Sequence, residues 1–202
     1  MKMNFVSYCL LGILALQLIS CSTAKSISKE YFIDNQPQFY EVKDHFQKLY
    51  QEKEFAIAFT DRNFNEIGFE ILTDSIKYLY YFEVNGSNFS DTLQKYGYNV
   101  HEIMELLAEL KNLNCTWISN LAYYEHYQKM NLVLMSFRNS VGKAKLKRQR
   151  YCVLAFFDKP QPADEKGIFL DRSNRKRQRE IMGYQLYKIN DRLGYAITKK
   201  FR

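Results

Sequence analysis

Residues 151–157 read Tyr-Cys-Val-Leu-Ala-Phe-Phe, seven apolar positions in succession. The run has the length of a strand, and a strand with no polar face must be covered on both sides. It therefore predicts a central strand with a helix over one face or both. Residues 76–84 show the other kind of strand. There Ile76, Tyr78, Tyr80, Phe82 and Val84 alternate with Lys77, Leu79, Tyr81 and Glu83, and Asn-Gly-Ser-Asn follows as turn chemistry. Further strands are expected over 55–60, 66–72, 131–138, 182–189 and 193–199, the last two joined by Asn190-Asp191-Arg192. Helical period appears over 38–52, where Phe39, Val42, Phe46, Leu49 and Tyr50 share a face. It appears again over 100–113, where Val100, Ile103, Met104, Leu107 and Leu110 do so behind an Asn99 cap. The 16 tyrosines and 15 phenylalanines suit a half-wet pleated surface. The class read from this order is α+β, an antiparallel sheet of about seven strands with two or more helices packed on one face.

The amino terminus is built differently. Met1-Lys2-Met3-Asn4 precedes an apolar run from residue 5 to 19 that is too short for a membrane span of roughly 20 residues. It ends in Leu18-Ile19-Ser20-Cys21. This signal peptide resembles those of bacterial lipoproteins, and the four residues resemble their lipobox. The resemblance covers residues 1–21 only. It implies cleavage before Cys21, a thioether from its sulfur to diacylglycerol, and an acylated new amino terminus, for instance with palmitate. It also implies an address in the bacterial cell envelope, with Ser22 pointing to the outer rather than the inner membrane. The expected division is a signal peptide over 1–20, a lipidated tether over 21–30 and one α+β domain over 31–202. The mature chain of about 180 residues is enough for one core, and neither the three prolines nor the eight glycines cluster into a linker.

Charge is unevenly divided. From Arg138 onward there are 18 Lys and Arg against 6 Asp and Glu, whereas the preceding part has 11 against 16. The excess concentrates in residues 143–150 and 171–180. If the second run is helical, Arg172, Arg175, Lys176 and Arg179 share one face, and Lys147 and Arg148 add to the same charge. These six residues are the candidate polyanion-binding set, for acidic polysaccharide, an anionic membrane surface or a protein partner. Neither run interleaves an aromatic, which argues against single-stranded nucleic acid. The alternative is a pair of solvated loops whose charge discourages aggregation.

Catalytic signals are sparse. His45, His101 and His126 lie in separate segments, and no H-E-x-x-H, C-x-x-C, G-x-S-x-G or glycine-rich phosphate loop is present. No metal site and no cofactor is called for. The function expected is a lipid-anchored binding or interaction module. Its competitor is an envelope hydrolase whose histidines and carboxylates converge from distant segments. Two cysteines remain after processing, Cys115 and Cys152. Export favours a disulfide between them, and apolar surroundings favour two buried free thiols. In the loop that follows residue 157, Ile168, Phe169 and Leu170 are expected either to tuck onto the core or to contact a partner.

Overall fold

A computed structural model describes residues 24–72, 76–125, 128–138, 150–171 and 178–201. In chain order the elements are α1 (Ala24–Asp34), α2 (Gln36–Glu52), β1 (Phe55–Phe59), β2 (Glu66–Leu72), β3 (Lys77–Glu83), α3 (Ser87–Lys95), α4 (Val100–Asn112), β4 (Cys115–Glu125), β5 (Gln128–Arg138), β6 (Tyr151–Phe157), β7 (Glu180–Ile181), β8 (Tyr184–Gln185), β9 (Tyr187–Asn190) and β10 (Leu193–Thr198). Eight strands form one sheet in the order β3-β2-β1-β4-β5-β6-β10-β9, and every pairing in it is antiparallel. The fold is α+β, as the sequence order predicts.

The seven-residue apolar run is β6, third from one edge and buried at every position. Helices cover one of its faces. Phe39, Val42, Phe46 and Leu49 of α2 and Ile103, Leu106, Leu107 and Leu110 of α4 pack on strand residues that include Phe55, Phe69, Ile118, Met135 and Leu154. Asn99 caps α4, its side-chain oxygen accepting from the backbone N–H of Glu102 at 3.3 Å. Among the described residues, the opposite face is covered without a helix. Phe169, Ile181 and Leu186 of the chain between β6 and β9 lie over Leu132, Leu134, Val153, Ala155, Phe157 and Ala196. Ile168 and Phe169 are therefore core residues. Phe169 lies so close to β10 that a Cβ on Gly194 would sit 2.6 Å from its ring, so this strand position needs glycine for room.

Four features depart from expectation. Residues 115–125 form a strand whose alternation is hidden by a bulge. Cys115 and Trp117 oppose the adjacent Phe137 and Ser136, so Cys115 and Ile118, three apart, both face the helices. The stretch expected as a tether to residue 30 is helical from Ala24 on, with Ser28 and Phe32 buried. Past the Asn-Gly turn the chain enters α3, which buries Phe89 and Leu93. The strand expected over 182–189 is broken, because Met182 and Gly183 take positive φ (52° and 74°) and close a two-residue hairpin between β7 and β8.

The Cys115–Cys152 disulfide is absent. Both thiols are free and buried, and Phe137 of β5 stands in register between them. Two strand spacings put their Cα atoms roughly 10 Å apart, beyond the ~7 Å a disulfide spans.

Candidate functional site at the basic end of the sheet

The antiparallel register brings the ends of several distant segments to one end of the sheet. Arg138, at the end of β5, pairs with Tyr151 at the start of β6, and Tyr151 pairs with Thr198 at the end of β10. Arg150 directly precedes β6, and Lys199 and Lys200 follow β10. The β1–β2 turn contributes Arg62 to the same place. Its geometry comes from Asp61, whose carboxylate accepts from the backbone N–H groups of Asn63, Asn65 and Glu66 at 3.0, 2.8 and 2.9 Å. Burial is the largest single influence and pushes the Asp61 carboxyl up, but the backbone donors together outweigh it and hold the group below its ordinary range.

Within that turn Phe64 adopts φ 60° and drops its ring edge-on against Phe59, with centroids 4.8 Å apart. The Arg138 guanidinium lies 4.7 Å from the centroid of the same ring and donates to the Arg62 carbonyl at 2.8 Å. Turn and sheet are thus fastened together, and Arg62 points to solvent. Phe201 folds back edge-on to Tyr151 at 5.5 Å, and Thr198 Oγ1 accepts from the Lys200 N–H at 3.0 Å. Burial pushes the Tyr151 phenol up, while the charges of Arg62 and Arg138 pull it the other way. Among the described residues, no carboxylate pairs with Arg62, Arg138, Arg150, Lys199 or Lys200.

Beside these cations the sheet opens into a cleft of about 410 Å³. β9 begins only at Tyr187, so β10 has no β9 partner beyond Tyr195, and the gap is lined by Arg150, Gly183, Tyr184, Gln185, Tyr187, Tyr195, Ala196 and Ile197. Arg150 and three tyrosines border it: Tyr187 and Tyr195 pack together on the helix-side core, with Tyr195 buried, and Tyr184 packs on the opposite face. Aromatic faces with a cation alongside suit a ligand that has both flat C–H surfaces and negative charge.

Of the six cations singled out from the sequence, Lys147, Arg148, Arg172, Arg175 and Lys176 lie outside the described residues, as do Cys21 and His126. Arg179 is described, and it does not join a helical stripe. It sits between the Gln178 bridge and β7, with its guanidinium 4.9 Å over the Tyr123 ring and 5.1 Å over Phe157, donating to Gln161. Its charge is spent on packing the non-helical face.

His45 does meet carboxylates: its Nδ1 lies 2.9 Å from Glu109 Oε2 and its Nε2 3.6 Å from Glu102 Oε2, which Lys48 also contacts at 3.0 Å. The Lys48 hydrogen bond is the main reason the Glu102 carboxyl is held below its ordinary range. The group ties α2 to α4. It lines neither the tyrosine cleft nor the second opening of about 300 Å³ near Lys53 and Tyr98. His101 is exposed and pairs with Glu105 one turn along α4 at 3.4 Å. The described residues contain no cluster of three or more metal-ligating side chains, and none of their helices is long and apolar enough to cross a membrane.

No family model matches the chain, and neither a curated protein nor a solved structure does. Its function has to be argued from its own surface. Arg62, Arg138, Lys199 and Lys200 escape a reading of charge in runs along the chain, because each stands outside the two basic runs. The relevant signal is a cation at the end of a predicted strand, repeated over several strands.

Proposed function

We propose that this chain is a binding module of the bacterial cell envelope, held at a membrane through lipid on Cys21, that takes an acidic polysaccharide at the basic end of its sheet. One observation carries the ligand class: five cations from four chain segments lie together without a carboxylate partner among the described residues, beside a tyrosine-lined cleft. Like charges gathered this way repel, and a polyanion relieves that repulsion. The cleft favours a sugar chain over a flat layer of head groups, because rings set in a recess can meet sugar faces one at a time. The anchor rests on the lipobox, Leu18-Ile19-Ser20-Cys21. On this reading the outer membrane is the more natural address.

The test is charge reversal at two exposed positions that leave the core alone. Arg150→Glu with Lys199→Glu in the chain from residue 22, which lacks the lipidated Cys21, should weaken binding to heparin, used as an acidic polysaccharide, by more than tenfold at low salt, with the fold unchanged by circular dichroism. Unaltered binding by the double variant would remove the basic end as the site. Tighter binding to anionic vesicles than to heparin would move the ligand from polysaccharide to membrane.

A further inference from the structure

The two edges of the main sheet are unlike. β9 is four residues long, and the register beside it is broken by a bulge between Leu193 and Gly194, both usual ways to blunt an edge. β3 has neither protection. It runs seven residues with no proline or glycine and, among the described residues, is paired on one side only, with β2. Its surface is also apolar: Tyr81 is 66% exposed, Ile76 52%, Leu79 42% and Tyr78 36%. An open edge of this length with exposed apolar side chains on both faces invites another strand.

We propose that β3 pairs with β3 of a second copy of this chain, antiparallel and centred on Tyr80, to form one continuous sheet. The pattern of the strand selects this occupant. With Tyr80 opposite Tyr80, Lys77 of each copy faces Glu83 of the other, Tyr78 faces Phe82, and Leu79 faces Tyr81. Both charged ends are then matched and every apolar residue meets an apolar one. A shift of one residue would set the helix-side rings against the opposite face, and a shift of two would leave Lys77 against Tyr81. Within one copy, Glu83 stands opposite Glu66 in the β2–β3 register, two like charges on one face. Lys77 of the second copy relieves that repulsion while keeping its own bond to Glu70, at 2.5 Å. On the helix side, Tyr78, Tyr80 and Phe82 already stack in a row with centroids 6.2 and 5.9 Å apart, and the second row extends it. The two-fold axis stands perpendicular to the sheet, so α1 of both copies lies on the same side. Two chains held by their N-terminal segments can therefore meet in one membrane plane. The interface is isologous and closes at two copies.

The test uses the full chain in detergent. Sedimentation should show a concentration-dependent dimer of wild type. Tyr81→Cys places two thiols diagonally across the join, about 7–8 Å apart, so a short bis-maleimide should yield cross-linked dimer well above the Met182→Cys control, which is 63% exposed and lies on the β7–β8 hairpin. Glu83→Lys would set lysine against Lys77 at both ends and should lower the yield about tenfold. A monomer at all concentrations overturns the proposal. So does a Tyr81→Cys yield no higher than the control, or a yield that Glu83→Lys leaves unchanged. If Tyr81→Cys fails to fold, the masses of wild type and Glu83→Lys decide between the same outcomes.

Discussion

Cys115 and Cys152 flank Phe137 on the helix-covered face of β4, β5 and β6. Burial pushes both thiols well above their ordinary range, so neither forms the thiolate that reacts at neutral pH. In native protein, alkylation followed by peptide mass spectrometry should find both unmodified, and denaturation without reductant should expose both. A disulfide-linked peptide joining 115 to 152 would contradict the register. The sequence allows either state, because the two cysteines look equally apolar whether they are adjacent or one strand apart. Only the insertion of β5 between β4 and β6 decides it. The Asn99 cap, by contrast, is legible directly, since donor and acceptor lie three residues apart in the chain. Arg179 shows the opposite case: its place over Tyr123 and Phe157 depends on pairings 22 or more residues away, whereas local spacing puts it on a helical basic face.

Among the elements, period is a reliable guide where burial is one-sided and continuous, as in α2 and α4, and an unbroken apolar run is the guide where burial is two-sided, as in β6. It fails for β4, where a bulge shifts the phase, and for the 182–189 segment, where Met182 must enter left-handed space to turn the chain. The cover over the second face of the sheet carries no period, because its core residues Phe169, Ile181 and Leu186 come from bridges and short strands. That cover depends on Gly194. Gly194→Ala would drive a methyl into the Phe169 ring, 2.6 Å from Cε2 and 3.0 Å from Cδ2, and should cost about 1–3 kcal/mol of stability. Urea denaturation should show a lower midpoint for the variant, with partial recovery when Phe169→Leu is added. An unchanged midpoint would mean that Phe169 does not seal this face.

At the scale of the molecule, the α+β class and the antiparallel sheet could be read in advance because strands and helices occupy separate stretches of the chain. The basic end could not, since its cations become neighbours only through the pairing of β5, β6 and β10. The anchor remains a reading of residues 18–21, with a direct test. Cys21→Ser should abolish fatty-acid labelling and release the chain from the membrane fraction or leave it unprocessed. Equal labelling of variant and wild type would contradict lipidation at Cys21.

The most direct measurement of the central claim is the salt dependence of heparin binding by the chain from residue 22. Binding carried by released counterions falls linearly in log affinity against log salt, with a slope of about one per anionic contact. Wild type should therefore show a steep slope, and Arg150→Glu with Lys199→Glu a flatter one, shallower by roughly two. A wild-type affinity that does not change with salt, or no binding at low ionic strength, would contradict a polyanion site at the basic end of the sheet.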